Sequence, residues 1–561
     1  MKRTIVHTLV AFTIALLLAL PARSGAAQDK PAEAFAQYPG WQHSGSVYLL
    51  TTPDGANLPA TASEEGFPLL VRLDRDFFNF SEAKAHGEDI RFATSTGTPL
   101  AYQIDQWDAA AGKAGIWVRL PEIQGNTRQE IKLYWGKADA QSESNGPAVF
   151  NQSNGYFSVW HMNDPVSDEV GTLESNDTGT TSSSGIIGKS RRFEAGKGIH
   201  CGENIISYPF GSSPHSSEAW FKAEKPNATI LAWGNEQAQG KVVMQFASPP
   251  HIRMDCYFSN GNVKSGVKLA TSQWIHAMHT YKNGDSRIYV NGVLAGVNTS
   301  QGAPLAIESP ARMYIGGWYN NYRFDGDIDE VRISNVTRSA DWVKLQYENQ
   351  KPLQTVVGPV VPPGTEFSVS EKAITLSEGK SAAVSARAGG ARKVYWIVKR
   401  GGRETIASVD RFHFTLDAGR VVGDESLTLQ FKAVCAHGVK TADIPVTIRE
   451  DIPMAWNDAL TSQFYLDGKE GKVESGAVES GTVSGNAVSG NAVSGNAVSG
   501  NAVSGNAVSG NVVKLKLASA AAAKTITCLV DKKWDANNLL YGQDGIAALT
   551  FCEVPIDASA P

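Results

Sequence analysis

The sequence carries no strong excess of either charge: 51 Lys and Arg stand against 56 Asp and Glu in 561 residues, a net charge of −5. Proteins that bind nucleic acid gather Lys and Arg into a basic patch or stripe. No such run is present, so nucleic acid is excluded as the expected partner, and nothing points to an acidic membrane surface. Beyond the first 20 residues no stretch approaches the ~20 consecutive apolar residues of a membrane helix. Cysteine is scarce. The five residues Cys201, Cys256, Cys435, Cys528 and Cys552 fall at spacings that match no zinc motif. Catalytic signatures are also missing. There is no Gly-x-Ser-x-Gly elbow, and the "GKS" at Gly188–Ser190 lacks the glycine-rich lead of a phosphate loop and reads as a tight turn. His200, His276 and His279 share no metal-ligand spacing and read as separate strand residues.

What is present begins with a leader. Lys2 and Arg3 precede an apolar run from Leu9 to Leu20, and "ARSGAAQ" supplies small residues for cleavage near Ala27. Residues 1–27 thus read as a secretory signal peptide, and the mature chain is expected to be exported: periplasmic, cell-surface or extracellular. Export permits disulfides. Cys201 with Cys256 and Cys528 with Cys552 are the candidate bridges, with Cys435 left over; buried free thiols are the alternative.

Short β-type runs fill the body of the chain, and 54 Gly and 25 Pro punctuate it with turns. The fold class is all-β, several β-sandwiches in series. Residues 38–141 hold "VYLL", "FPLLVRLD", "LAYQIDQW", "GIWVRLP" and "EIKLYWG". In the fourth, alternation puts Ile116, Val118 and Leu120 on one face and Trp117 and Arg119 on the other. Residues 156–359 hold eight more strand-like runs, with Asn291–Gly292 as a two-residue hairpin turn, the spacing of a sandwich or jelly roll. "SADWVKLQYENQ" closes this region as a short helix capped by Ser339, with Trp342 and Leu345 on one face. Residues 364–450 have the strand spacing of an immunoglobulin-like sandwich, Trp396 being its expected core residue. Pentads of the type "VSGNA" then occupy residues 473–513. One Val per unit gives too little apolar surface for a core, so a flexible linker is expected, with a short β-solenoid as the alternative. Residues 514–561 show no assignable fold.

The blocks "FPLLVRLD", "GEDIRF", "GTPLAYQIDQWD", "GIWVRLP" and "IKLYWGK" follow in order and resemble an uncharacterised bacterial extracellular domain family found upstream of laminin-G-like domains. The blocks "GIIGKSRRFEAG", "SEAWFK", "TILAWG", "WIHAMHTYKNGDSRIYVNGVLAG", "YIGGW" and "FDGDIDEVRISNVTRSADWVKLQYENQ" resemble the concanavalin-A-like laminin-G jelly rolls. The first resemblance implies a fold but no activity. The second implies a binding domain, and in such domains often a calcium ion.

The stretch "FDGDIDEV" (Phe324–Val331) sets Asp325, Asp327, Asp329 and Glu330 within six residues. Glycoside hydrolases with a related sandwich use Glu as nucleophile and acid on one strand face. Here an alternating strand puts three Asp on one face and the lone Glu on the other, so catalysis is not expected. The stretch is no EF-hand either, with Glu330 at position six and Val336 at position twelve. Two readings stand. In the structural one, Ile328, Val331 and Ile333 face inward while Asp329 and Glu330 bond local groups. In the other, Asn163 and Asp164 join Asp325 or Asp327 around Ca²⁺. A sugar site needs aromatic rings beside amides, and Trp318, Tyr319, Asn320, Asn321 and Tyr322 supply them, packing of the rings into the fold being the alternative. The expected function is therefore non-enzymatic: an exported envelope protein binding a glycan or a protein ligand. The alternatives are a structural scaffold, an extracytoplasmic part of an envelope transport or energy-coupling system, or a polysaccharide hydrolase.

Overall fold

A computed structural model describes residues 37–450 apart from 172, 195, 257–261, 300–304, 318–322, 420 and 422, and beyond 450 only the backbone of short strands. The leader and Cys552 lie outside the described residues. Strands dominate, and no helix among the described residues is long and apolar enough to cross a membrane.

The first sandwich pairs a five-stranded sheet with a three-stranded one made of Ser63–Asp74, Lys113–Gln124 and Tyr102–Asp108. The expected alternation in "GIWVRLP" is only half the result. Ile116 and Val118 are buried, but so is Trp117. The three-stranded sheet is covered on both faces, by its own partner sheet and by the jelly roll. One hydrophobic cluster runs through the boundary, joining Phe67 and Trp117 to Met278 and Tyr289 of the jelly roll and to Trp342, Val343 and Leu345 of the closing helix. The chain also crosses back. Val357–Val360, expected at the end of the jelly roll, pairs antiparallel with His43–Leu50 as the edge of the first sandwich's larger sheet.

The jelly roll packs an eight-stranded sheet, with Gly326–Ser334 near its middle, on a seven-stranded one. Asn291 and Gly292 have φ of 48° and 77°, the positive pair that a tight hairpin requires, and join Asp285–Val290 to Val293–Asn298. The helix Ala340–Gln350 starts where its cap was expected: Ser339 Oγ accepts the Trp342 amide at 2.9 Å. Its buried polar face stitches the two sandwiches together. Asn349 bonds both the N–H and the C=O of Leu70, at 2.7 and 3.0 Å, and Arg72 donates to the carbonyls of Asn349 and Gln350.

The third sandwich has sheets of three and five strands around a fully buried Trp396, which stacks on Phe414 and touches Phe431. In the pentad region, Val473–Thr482 pairs antiparallel with Ala507–Leu517, so the ends of the expected linker form a two-stranded ribbon; residues 483–506 lie outside the described residues.

Candidate functional site

The acidic strand resolves into two halves. At its start the carboxylates meet cations: Asp325 lies 3.0 Å from Lys225 and 3.6 Å from Arg192, and Asp327 lies 2.9 Å from Lys222 and 3.5 Å from Arg192. At its end the strand bulges. Glu218 opposes Arg332 and Trp220 opposes Asp329, which leaves Glu330 and Val331 against Ala219 alone. Glu330 takes φ of +49°, the left-handed region, to absorb the extra residue. The phase shift lets Ile328, Val331 and Ile333 all enter the jelly-roll core, although 328 and 331 could not share a face on a regular strand. Asp329, fully buried, accepts the amides of Ile186 and Ile187 at 2.8 and 3.1 Å and so holds the "GIIGKS" turn. A side chain at Gly185 would sit 2.5 Å from that carboxylate, which explains the glycine. Burial and the neighbouring Glu330 charge push the Asp329 carboxyl well above the usual carboxylate range. The inward-facing reading of this block describes the structure.

The residues named for calcium are not gathered into one site. Asn163 donates to Asp105 of the first sandwich at 2.7 Å, and Asp164 faces Arg191 at 3.4 Å. Asp325 and Asp327 are held by the lysines and the arginine described above. The residues named for sugar binding, Trp318–Tyr322, lie outside the described residues. Cys201 and Cys256 are separate buried thiols rather than a bridge. The reason is topological: they follow strands Ile199–His200 and His251–Asp255, four places apart in one sheet. At about 4.8 Å per strand their backbones are roughly 19 Å apart, far beyond the ~4.4–6.8 Å that a disulfide spans. Among the described residues, the His, Cys, Asp and Glu side chains that converge are Asp105, His161 and Glu330, under the first sandwich.

An open cleft of about 360 Å³ lies on the outer side of the seven-stranded sheet. Alternation builds it. Met313 and Ile315 point into the core, so Tyr314 between them points out and packs over Ala232 and Val243. His200 is the register partner of Tyr314 on the next strand, and the two rings stack at 4.6 Å between centroids. Glu203 reaches both, 3.3 Å from the Tyr314 hydroxyl and 3.6 Å from His200 Nε2. Burial, followed by the Glu203 charge, raises the Tyr314 hydroxyl above its ordinary pKa, so it stays a donor. Thr178, Lys197 and Arg323 complete the rim. An aromatic plane flanked by donors and acceptors can stack on an apolar sugar face while bonding its hydroxyls. The sequence reading set His200 aside as an isolated strand residue and passed over Tyr314. The signal for Tyr314 was its place in "RMYIGGW", an aromatic on the outward phase of a buried strand. His276 and His279 are unconnected to the cleft: His276 bonds Glu218 and His279 bonds Ser286.

Residues 204–344 match the family model described as the concanavalin A-like lectin/glucanases superfamily (Laminin_G_3), and residues 86–160 match that of a domain of unknown function (DUF2341). No curated protein matches the chain. Among solved structures, the chain is similar to domain 4 of AbnA, a GH43 extracellular arabinanase from Geobacillus stearothermophilus, in complex with arabinotriose, at 19% identity over 34% of this chain and 97% of that one, with a TM-score of 0.29. It is also similar to a heptameric SAP-like pentraxin from Limulus polyphemus, at 13% identity over 28% of this chain and 80% of that one, with a TM-score of 0.22. Scores at this level carry no functional assignment. The matches and the described sheets agree on one statement: the chain carries a DUF2341 domain followed by a concanavalin A-like domain of the Laminin_G_3 type.

Proposed function

We propose that this protein is an exported, non-enzymatic binding protein whose concanavalin A-like domain takes a glycan in the cleft of His200 and Tyr314. The observation that carries the reading is the stacked ring pair at 4.6 Å, set in a cleft bordered by Glu203, Lys197 and Arg323. The leader at residues 1–27 supports export. The state of the acidic strand supports binding over hydrolysis, since Asp325 and Asp327 are neutralised by lysine and arginine. The experiment is a glycan array probed with the full mature chain and with Tyr314→Ala. We expect a discrete set of glycans for the wild type and about a five- to tenfold loss for the variant, in keeping with the ~1–1.5 kcal/mol of a good aromatic contact. Wild-type binding that survives Tyr314→Ala, or release of reducing sugar from the bound glycan, would overturn the reading.

A further inference from the structure

The buried polar layer between the DUF2341 domain and the jelly roll holds a second constellation, remote in role from the cleft. His161 follows strand Tyr156–Trp160 and packs against the Trp117 and Phe150 rings. Its Nδ1 faces both oxygens of Glu330, at 2.8 and 3.0 Å. Its Nε2 faces Gln103 Oε1 at 3.3 Å. The Gln103 amide is fixed from its other side, because Nε2 donates to Glu169 at 2.9 Å. That orientation makes Gln103 Oε1 an acceptor, so His161 carries its hydrogen on Nε2. The lone pair of Nδ1 then points at a carboxylate, and a positive species is required between them.

The third member is Asp105. Asn163 donates to its Oδ1 at 2.7 Å, while its Oδ2 is buried and has no hydrogen-bond partner. Asp329 Oδ1, on a side chain with no solvent exposure, also lacks one. The ligand atoms of Asp105, His161 and Glu330 lie within 4.8 Å of one another. With bonds of about 2.1 Å, two ligands on one ion are about 3.4 Å apart in a tetrahedron and about 3.0 Å apart at right angles, as around Mn²⁺ or Mg²⁺; the His161–Glu330 separations of 2.8 and 3.0 Å lie at the right-angle end. Charge points the same way. Asp105, Asp329 and Glu330 lie close enough to raise one another's acid–base midpoints, and of the three it is Glu330 that Arg332 bonds, at 2.5 Å; a divalent cation would offset the charge that remains.

We propose that Asp105, His161 and Glu330 form a divalent transition-metal site that clamps the DUF2341 domain to the jelly roll. One imidazole with two carboxylates suits Zn²⁺ or Mn²⁺, whereas Ca²⁺ takes six to eight oxygen ligands. Gln103 holds the ligand ring through its Nε2–H, the outer-shell contact that metal-bound histidines make. Without a cation the layer is neutralised by protons. Burial alone would lower the His161 pKa, but the Glu330 and Asp105 charges outweigh it and raise it to about 9. Burial raises the Asp105 carboxyl to about 6. A cleft comes near the cluster. Gly185–Gly188 and Gln106 line a cleft of about 410 Å³ at the domain junction, and Gly188 lies beside Asp105 Oδ2.

The test uses the full mature chain, stripped with a chelator and dialysed against Zn²⁺, Mn²⁺ or Ca²⁺ in turn. Elemental analysis should find about one Zn²⁺ or Mn²⁺ per chain and no retained Ca²⁺, and the bound ion should raise the melting temperature. Asp105→Asn keeps the shape and the Asn163 contact. It and His161→Gln should retain no ion, and their melting temperatures should no longer respond to metal. Gln103→Ala should bind roughly 10–100-fold more weakly. His200→Gln, in the outer cleft, is the control and should bind as the wild type does. If the variants fold poorly, calorimetric titration of wild type with Zn²⁺ decides alone. No binding, binding unchanged in Asp105→Asn, or an imidazolium signal from His161 that persists in saturating Zn²⁺ would overturn the site and leave a proton bridge only.

Discussion

On the seven-stranded sheet of the jelly roll, a histidine, a glutamate and a tyrosine line an open cleft. On the eight-stranded sheet, a histidine and a glutamate lie covered by a tryptophan of the first domain. The residue types are nearly the same, and what covers them differs. His200 and Glu203 are 29% and 52% exposed at the side chain, so the pair lies at the protein surface. His161 and Glu330 are 1% and 0% exposed and face each other at 2.8 Å. A polar face under another domain becomes cohesion, because an unpartnered buried charge costs more than the pair contributes; a polar face left open can serve recognition.

The largest expected effect tests the covered face. Glu330→Ala leaves Arg332 and His161 without their shared carboxylate in a buried layer, and loss of one member of such a set costs about 3–5 kcal/mol. Chemical denaturation followed by Trp fluorescence should show a loss of that order. A cost below about 1 kcal/mol would mean that the layer is hydrated and the two faces are alike.

Acid probes the space between the faces. His215 and His279 point into the gap between the sheets, with rings 5.6 Å apart beside Trp233 and Tyr281. Burial lowers the His215 pKa to about 4 and drives that of His279 well below its ordinary value. Both are neutral in the fold, and the unfolded chain binds protons first. Their contribution is complete above about pH 6.5 and is lost as pH falls toward 4. Melting temperature should decline over that window, and less steeply in His215→Phe. A flat profile would contradict the assigned burial.

Smaller effects separate the two halves of the acidic strand and then the cleft. Asp325→Asn breaks partly exposed ion pairs with Lys225 and Arg192 and should cost about 0–1 kcal/mol, well below Glu330→Ala on the same strand. Glu203→Ala should change stability by no more than ~0.5 kcal/mol, since Glu203 is 52% exposed at the side chain. A larger loss would make the cleft structural.

Much of this architecture was legible locally. Strand alternation, the Asn291–Gly292 turn, the Ser339 cap and Trp396 as a core residue are set by nearest neighbours along the chain, and each stands in the structure. The bulge was harder to see. "IDEVRI" reads as a plain alternating strand until its pairing with Trp220 and Glu218 forces one residue out of phase. Asp105 and His161 gave no local signal, because each is one polar residue among others in a strand-like run, and only the packing of one domain on another brings them together. The return of Val357–Val360 to the first sandwich is likewise non-local.

The most direct test of the account compares the two faces in one binding measurement. A glycan selected on the array is titrated calorimetrically into wild type, Tyr314→Ala and Glu330→Gln, each first shown to be folded by near-ultraviolet circular dichroism. We expect Tyr314→Ala to lose about five- to tenfold in affinity while staying folded, and Glu330→Gln to keep its affinity while melting lower. Full affinity in Tyr314→Ala, with loss in folded Glu330→Gln, would contradict the assignment of the open face to the ligand and the covered face to the protein.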